Sequence, residues 1–279
     1  MTGKITYDAV VKATVNTIKE AETLLPDDVI KALETAKENE SSDVARSQIE
    51  AILKNIEIAG NNSIPLCQDT GILIFYVDIG RDLHIDFDLK GAILEATRIA
   101  TQQVPLRPNA VDPLSRSNSN DNTGEGLPDI KYDFVEGKQL KITVAPKGAG
   151  SENMSVLKMM NPTELKSIDD FIVETVLNAG GRPCPPVIVG VGIGGSFDKA
   201  ARLAKSSLLR TVNDMNDEEK TILARINSLG IGPMGLGGDT TALAVHLNTS
   251  HCHTASLPVA INIQCWANRH ASVILGGEE

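Results

Sequence analysis

The sequence predicts a mixed α/β (α+β) fold, in which a helical N-terminal region is followed by a mixed sheet region flanked by helices. Over the first 60 residues, apolar side chains recur at the spacing of a buried helix face. From Gly71 onward, short apolar runs alternate with helical patterns and glycine turns, which indicates strands joined by helices. No internal repeat or domain boundary is evident. We therefore expect one domain over residues 1–279, with residues 1–60 as a helical cap and 61–279 as the α/β part.

The N-terminal region predicts three helices. The first covers Tyr7–Leu25, and a second begins at Pro26, because proline suits the first turn of a helix. Ser42 or Asp43 caps a third helix, which we expect to end at Gly60. The helices show no chemical motif, so we expect them to serve packing and possible interfaces.

The rest of the chain predicts alternating strands and helices. The predicted strands are Ile72–Ile79, Leu140–Ala145, Val187–Val191 and Val259–Ile263, and the predicted helices are Lys90–Gln103, Asn161–Ala179 and Phe197–Leu209. Two irregular segments, Pro105–Asp129 and Gly230–Gly238, remain between these elements. Long loops within a compact domain are often functional.

Composition excludes several classes of function. The formal net charge is −10, which argues against non-specific nucleic-acid binding through clustered Lys and Arg. No apolar run approaches the roughly 20 residues that span a bilayer. The polar N-terminus shows no signal peptide, so we expect no membrane association and a cytoplasmic location.

The four cysteines stand apart from one another and form no CxxC pair. Cys67 lies in NSIPLCQDTG, Cys184 in GGRPCPP, Cys252 in SHCHTAS and Cys265 in INIQCWANR. In a reducing compartment, such cysteines are packing residues, metal ligands or catalytic thiols. Three of them could bind three corners of an iron–sulfur cube and leave one iron open. Spacing alone does not establish this, and packing stays an alternative.

Other motifs could contact a small ligand. Arg107, in VPLRPNA, could pair with a substrate carboxylate, although a lone surface arginine is the alternative. The turn Lys147–Ser151 offers backbone N–H groups to a carboxylate. His253 suits acid–base catalysis or a substrate hydrogen bond at least as well as a zinc site with His251. The VGIGGS turn lacks both GxGxxG and a Walker lysine, which favours a tight strand-to-helix turn over nucleotide binding.

Taken in order, these motifs resemble the α subunit of class I, iron–sulfur-dependent fumarate hydratase and of its close relative L(+)-tartrate dehydratase. The resemblance extends from about Asp8 to Ala271. The motifs are PLCQDTG, LRPN with NTGEGLPDI, KGAGSENMS, GGRPCPP, VGIGGSFDKAARLAK, GIGPMGLGGDTTALAV and HTASLPVAINIQCWANR.

The resemblance implies a cofactor and a set of site residues. It implies a 4Fe–4S cluster held by Cys67, Cys184 and Cys265, with the fourth iron open to substrate, and Cys252 is then a spare thiol. It implies that a small dicarboxylate is bound by Gln68, Asp69, Arg107, Gly150 and His253, of which Asp69 and His253 are catalytic.

The resemblance also implies a partner. Single-chain class I enzymes carry a second domain after the matching part, whereas this sequence stops at GGEE. We therefore expect a separate β subunit that supplies the base and further cationic contacts, with two αβ pairs joined through α. The reaction implied is reversible hydration of fumarate to (S)-malate, which we favour over tartrate dehydration because fumarate belongs to central metabolism. A non-catalytic module with packing or zinc-binding cysteines is the alternative, and nucleotide binding ranks below it.

Overall fold

The computed structural model describes residues 5–104 and 106–276. Its contacts divide the chain into two compact units. The first comprises the described parts of Met1–Leu25, Ile56–Gly148 and Arg269–Glu279, and the second comprises Pro26–Asn55 and Ala149–Asn268. The single domain expected from the sequence stays a prediction.

The helices and strands are numbered along the chain. The helices are α1 (Tyr7–Thr23), α2 (Asp27–Asn39), α3 (Asp43–Asn62), α4 (Leu89–Gln103), α5 (Ala149–Glu152), α6 (Ile168–Ala179), α7 (Phe197–Ser207) and α8 (Asp217–Asn227). The strands are β1 (Ile72–Gly80), β2 (Asp129–Val135), β3 (Leu140–Lys147), β4 (Val156–Met160), β5 (Val187–Ile193), β6 (Ala242–Thr249), β7 (Leu257–Gln264) and β8 (Ala271–Leu275). Short 3₁₀ helices cover Pro162–Ser167 and Pro233–Gly235. Within the described ranges, no helix has the length and apolarity needed to span a bilayer.

The predicted α+β class is confirmed. Each predicted helix and strand is present, although the predicted helix Asn161–Ala179 begins as a 3₁₀ helix. The predicted end of the third helix at Gly60 is wrong, because α3 continues to Asn62. The left-handed residue that ends it is Ser63, at φ +51°, and the N–H of Ile64 bonds to Ala59 O at 3.1 Å. Sequence patterns did not predict α5, α8, β2, β4, β6 or β8.

The first unit is built on a four-stranded sheet in the order β2-β1-β3-β8. β2 runs parallel to β1, and the other two pairings are antiparallel. Helices α1 and α4 pack with β1 and β3 in one apolar core that includes Ile18, Phe75, Ile93 and Ile142. This burial supplies the main favourable free energy for the unit.

The second unit is built on a four-stranded sheet in the order β4-β7-β5-β6. Helices α6 and α8 pack against it through a core that includes Ile172, Val189, Ile226 and Ile261. Helix α7 also packs closely against β5. A Cβ on Gly192 would lie 2.0 Å from Ala200 O. Gly192, in the segment VGVGIGG, is therefore a position at which the close packing of α7 against β5 leaves no room for a side chain.

The two sheets share one pairing pattern. In each, a central strand (β1 or β5) pairs in parallel with the next strand in the chain (β2 or β6). The central strand also pairs antiparallel with the strand after that (β3 or β7). The start of β1 therefore lies against the end of β3, where Ile72 faces Lys147. Likewise, the start of β5 lies against the end of β7, where Ile188 faces Gln264. The two irregular segments expected from the sequence precede the parallel edge strands β2 and β6.

A buried polar network lies between β6 and α8 in the second unit. The Glu219 carboxylate accepts hydrogen bonds from Arg210 Nη1 at 2.6 Å, Leu247 N at 2.6 Å and Asn216 N at 2.8 Å. His246 on β6 is fully buried, and neither ring nitrogen has a hydrogen-bond partner among the described residues. Burial, reinforced by Arg210, lowers the pKa of His246 to about 4, although Glu219, Asp214 and Asp28 oppose the shift.

His246 should make the unfolding free energy depend on pH. Because its folded pKa lies below the ordinary value of 6.5, the unfolded chain binds the extra proton first as pH falls. We expect the chain to lose about 3 kcal/mol of stability between pH 6.5 and pH 4 relative to a His246→Gln variant. Urea unfolding across this range measures the difference. His84→Gln, which removes an exposed histidine, is the matched control, and equal slopes for all three chains would contradict the prediction.

Candidate active site

The turn Cys67–Gly71 leads directly into β1. Asp69 N donates to Cys67 Sγ at 3.4 Å, and Gly71 N donates to Asp69 Oδ1 at 2.9 Å. These local bonds fold the turn on itself, as Asp side chains commonly do. The Gln68 side chain is exposed, whereas those of Cys67 and Asp69 are partly buried. The turn therefore offers a thiol, an amide and a carboxylate from one short segment.

A second loop of the same unit packs against this turn. Arg107 N donates to Thr70 Oγ1 at 3.1 Å, and Arg107 Nη1 donates to Gln68 O at 3.4 Å. Asn109 Nδ2 donates to Gly71 O at 2.9 Å. Asn122, buried at φ +59°, accepts from Asn109 N at 2.7 Å and donates to Arg107 O at 3.0 Å. The loop thus places an exposed guanidinium beside Gln68.

The end of β3 closes the other side of the turn. Gly71 has φ +70°, and a Cβ there would lie 2.5 Å from the carbonyl carbon of Lys147. A Cβ on Gly148 would lie 3.0 Å from Asp69 Oδ2. Both positions therefore require glycine if the Asp69 carboxylate is to keep its place.

Two buried charged side chains lie behind the turn. Glu22 on α1 is fully buried, and Arg269 is 4% exposed. Their Oε2 and Nε atoms are 3.5 Å apart. Burial raises the pKa of Glu22 to about 7, with Arg269 opposing the shift and Asp69 adding to it.

In the second unit, residues Gly150, Cys184 and Cys265 lie at one end of the sheet. Cys184 precedes β5, has φ +56° and is exposed. Trp266 N, next to Cys265, donates to Cys184 O at 3.3 Å, because β5 begins where β7 ends. A Cβ on Gly150 would lie 3.7 Å from Arg182 O, so α5 lies beside the cysteine turn.

His253 and Cys252 lie near the opposite end of that sheet. His253 precedes β7, and its Nδ1 accepts from Ala255 N at 3.1 Å. Gly195 N, just after β5, donates to His251 O at 3.2 Å. The seven residues of β5 separate this end from Cys184 by about 20 Å at the usual strand rise. The structure therefore groups His253 with the VGIGGS turn and not with Cys184 and Cys265.

Comparison with known proteins decides the family. A protein-family model described as "Fumarate hydratase (Fumerase)" matches residues 11–274. The chain belongs to the fumarate hydratase family. The resemblance inferred from the sequence motifs is thereby confirmed.

Several known proteins align with this member of the fumarate hydratase family over nearly its whole length. A protein of Methanocaldococcus jannaschii named "Putative L(+)-tartrate dehydratase subunit alpha" is 48% identical over 268 residues, which cover 92% of this chain and 94% of that protein. A "Putative fumarate hydratase class I" of Geobacillus stearothermophilus is 36% identical over 92% of this chain but only 53% of its own length. The L(+)-tartrate dehydratase subunit alpha of Escherichia coli O157:H7 is 31% identical over 91% of this chain and 86% of its own.

The cysteines of this family member have the donor chemistry of an iron–sulfur site. None of the four, all in the described ranges, forms a disulfide, and each stands in a turn or at a strand end with at least partial exposure. Iron–sulfur clusters are held by thiolates, so the residue types fit the implied cofactor. Between residues 5 and 104 and between 106 and 276, no three His, Cys, Asp or Glu side chains are grouped so as to hold a metal ion.

The predicted site residues therefore fall into three groups. Cys67, Gln68, Asp69 and Arg107 lie together in the first unit; Gly150, Cys184 and Cys265 lie together in the second; His253 lies apart within the second. Sequence reasoning missed Asn109, Asn122, Glu22 and Arg269, which support the first group. The quoted motifs LRPN, NTG and INIQCWANR contain Asn109, Asn122 and Arg269, so three of these carried a signal, whereas Glu22, inside a helical pattern, carried none.

Gly71 should be irreplaceable for backbone reasons. Gly71→Ala combines left-handed strain with a backbone overlap at Lys147, so we expect a loss of more than about 2 kcal/mol in unfolding free energy. Gly230→Ala is the matched control, because Gly230 has φ +64° but open space around its Cβ position. That variant should lose only about 1 kcal/mol. Denaturant unfolding measures both, and equal losses would show that the contact with Lys147 is unimportant.

Proposed function

We propose that the chain is the α subunit of a two-subunit hydro-lyase that reversibly hydrates fumarate to (S)-malate. The observation that carries this proposal is the family match over residues 11–274, which contains all three expected cysteine ligands. The polar turn beside Arg107 supports it independently. It gathers groups suited to a small dicarboxylate in a chain whose overall charge is negative.

Cys67, Cys184 and Cys265 are the proposed ligands of a 4Fe–4S cluster. Bound there, the cluster would supply an open iron as a Lewis acid for the substrate hydroxyl and carboxylate. Cys184 and Cys265 lie beside each other at the start of β5. Cys252 is the spare thiol, and its Sγ donates to Ser256 O at 3.3 Å.

The first unit supplies substrate-binding groups. The Arg107 guanidinium is exposed and has further N–H groups beyond the one directed at Gln68 O, so it can pair with a carboxylate in bidentate fashion. The exposed Gln68 amide offers both a donor and an acceptor. Gly150, with no side chain on an exposed turn of α5, leaves its backbone open to a carboxylate.

Asp69 is the proposed acid–base group of this chain. Its Oδ1 accepts a hydrogen bond from Gly71 N, which orients the carboxylate within the turn. His253 is included in the catalytic set on the resemblance alone. The base that removes the C3 proton is expected on the β subunit.

A β subunit is the proposed partner. Two relatives that this chain matches over most of their lengths are named subunit alpha, and the fumarate hydratase that it matches over 53% is nearly twice as long. A separate chain would supply what the longer protein holds in its remaining half. An α2β2 assembly joined through α, located in the cytoplasm, completes the proposal.

L(+)-tartrate is the second candidate substrate. The relative with 48% identity carries a tartrate dehydratase name, whereas the fumarate hydratase relative is 36% identical. (S)-Malate and L(+)-tartrate differ in one hydroxyl, and a site built to bind that hydroxyl can discriminate strongly. The same α-chain residues serve the chemistry in either case.

Cysteine substitution tests the proposed function. We expect Cys67→Ala, Cys184→Ala and Cys265→Ala each to abolish the visible absorbance of the anaerobically reconstituted chain. With the β subunit present, each should also lower kcat by more than about 100-fold, because losing a ligand exceeds the cost of losing an outer partner. Absorbance, iron and sulfide content, and fumarate hydration measure these effects.

Cys252→Ala is the matched control, since it removes a thiol from the same chain and should leave absorbance and kcat unchanged. A colourless native chain that binds stoichiometric zinc and is indifferent to Cys184→Ala would reject the enzyme proposal in favour of a metal-binding module.

A further inference from the structure

The turn Cys67–Gly71 rests on a charged pair that the proposed chemistry does not use. Glu22 lies in the last turn of α1, and Arg269 lies just before β8. Both are almost completely buried, so neither side chain can touch a substrate. Arg269 Nε lies 3.5 Å from Glu22 Oε2, so the two side chains form a buried pair.

The same two residues hold both ends of the tripeptide Cys67–Asp69. Leu66 N, just before it, donates to the backbone oxygen of Glu22 at 2.8 Å. At its other end, Arg269 Nη2 donates to Asp69 O at 2.6 Å. The Glu22 side chain thus pairs with the guanidinium that holds the Asp69 carbonyl, while the Glu22 backbone holds Leu66.

Stability alone does not account for this arrangement. A buried ion pair is often no more stabilising than a well-packed apolar pair of similar size. Arg269 Nε and Nη1 find no hydrogen-bond acceptor among the described residues, so besides the ion pair with Glu22 the guanidinium makes a directed hydrogen bond to Asp69 O. The charge at this position therefore serves the turn.

We propose that Glu22 and Arg269 are positioning residues that fix the Cys67–Asp69 turn in its working conformation. The significance of that conformation rests on the proposed function, in which Cys67 is a ligand and Gln68 and Asp69 contact the substrate. The pair itself acts on the backbone and can be tested without cofactor or substrate.

A double variant separates positioning from stability. Glu22→Leu with Arg269→Met replaces the pair by apolar side chains, which keeps the core filled while removing the donor to Asp69 O. Hydrogen–deuterium exchange of the full-length chain, freed of iron, is then followed by mass spectrometry. We expect the amides of residues 68–71 to exchange about tenfold faster, with β1, β5 and the thermal midpoint unchanged, as in a local opening.

Two further variants make the outcome decisive. Arg269→Lys keeps the positive charge on a shorter side chain. The exchange rate of the amides at residues 68–71 should then lie between the rates of the native chain and the double variant. Arg81→Gln removes an arginine from the exposed pair with Glu136 and should change nothing. Native exchange at residues 68–71 in the double variant would overturn the proposal, as would equal acceleration throughout β1. Because these rates need no cluster, failure of the cysteine test would reject the proposed function and leave this result standing.

Discussion

Antiparallel pairing between a central strand and the strand beside it is the constraint on which the candidate site depends. It places the beginning of β1 against the end of β3, and the beginning of β5 against the end of β7. In each unit, the turn that precedes the central strand therefore lies beside the turn that follows its antiparallel neighbour. Cys67 and Asp69 enter at such an end in the first unit, and Cys184 and Cys265 meet at the corresponding end in the second. Sites at strand ends combine a rigid scaffold with loops that are free to carry polar groups.

Local backbone geometry then fixes the chemistry at those ends. Gly71 and Gly148 lack side chains where β3 approaches the Asp69 carboxylate, and Asn109 and Asn122 tie the Arg107 loop to the same turn. An acidic chain can thereby present an arginine beside this turn, as the proposed binding of a dicarboxylate requires, because the local arrangement and not the net charge sets the potential there.

The sequence was sufficient to predict the fold class and the elements with a strong apolar period. It missed β2, where charged and apolar residues alternate along a largely exposed strand. It also missed β6, where the buried run ends at His246 and is followed by the less buried Asn248. The end of α3 was predicted wrongly because Gly60 is tolerated inside the helix, while Ser63 adopts the left-handed conformation. For the candidate site, motifs predicted Cys67, Gln68, Asp69 and Arg107, which lie together in the first unit. The Glu22–Arg269 pair joins positions 247 residues apart, which no local pattern reveals. The strand-pairing pattern that the two sheets have in common could not be predicted either, because the two halves share this topology without sharing a repeated sequence.

The measurement that tests the central claim most directly is the rate of fumarate hydration as β subunit is titrated into the anaerobically reconstituted chain, with L(+)-tartrate as the parallel substrate. The account predicts negligible turnover by the chain alone and a rise to a plateau at one β subunit per chain, with fumarate the better substrate. Full turnover without the β subunit, or no turnover of either substrate with the cluster and β subunit both bound, would contradict it.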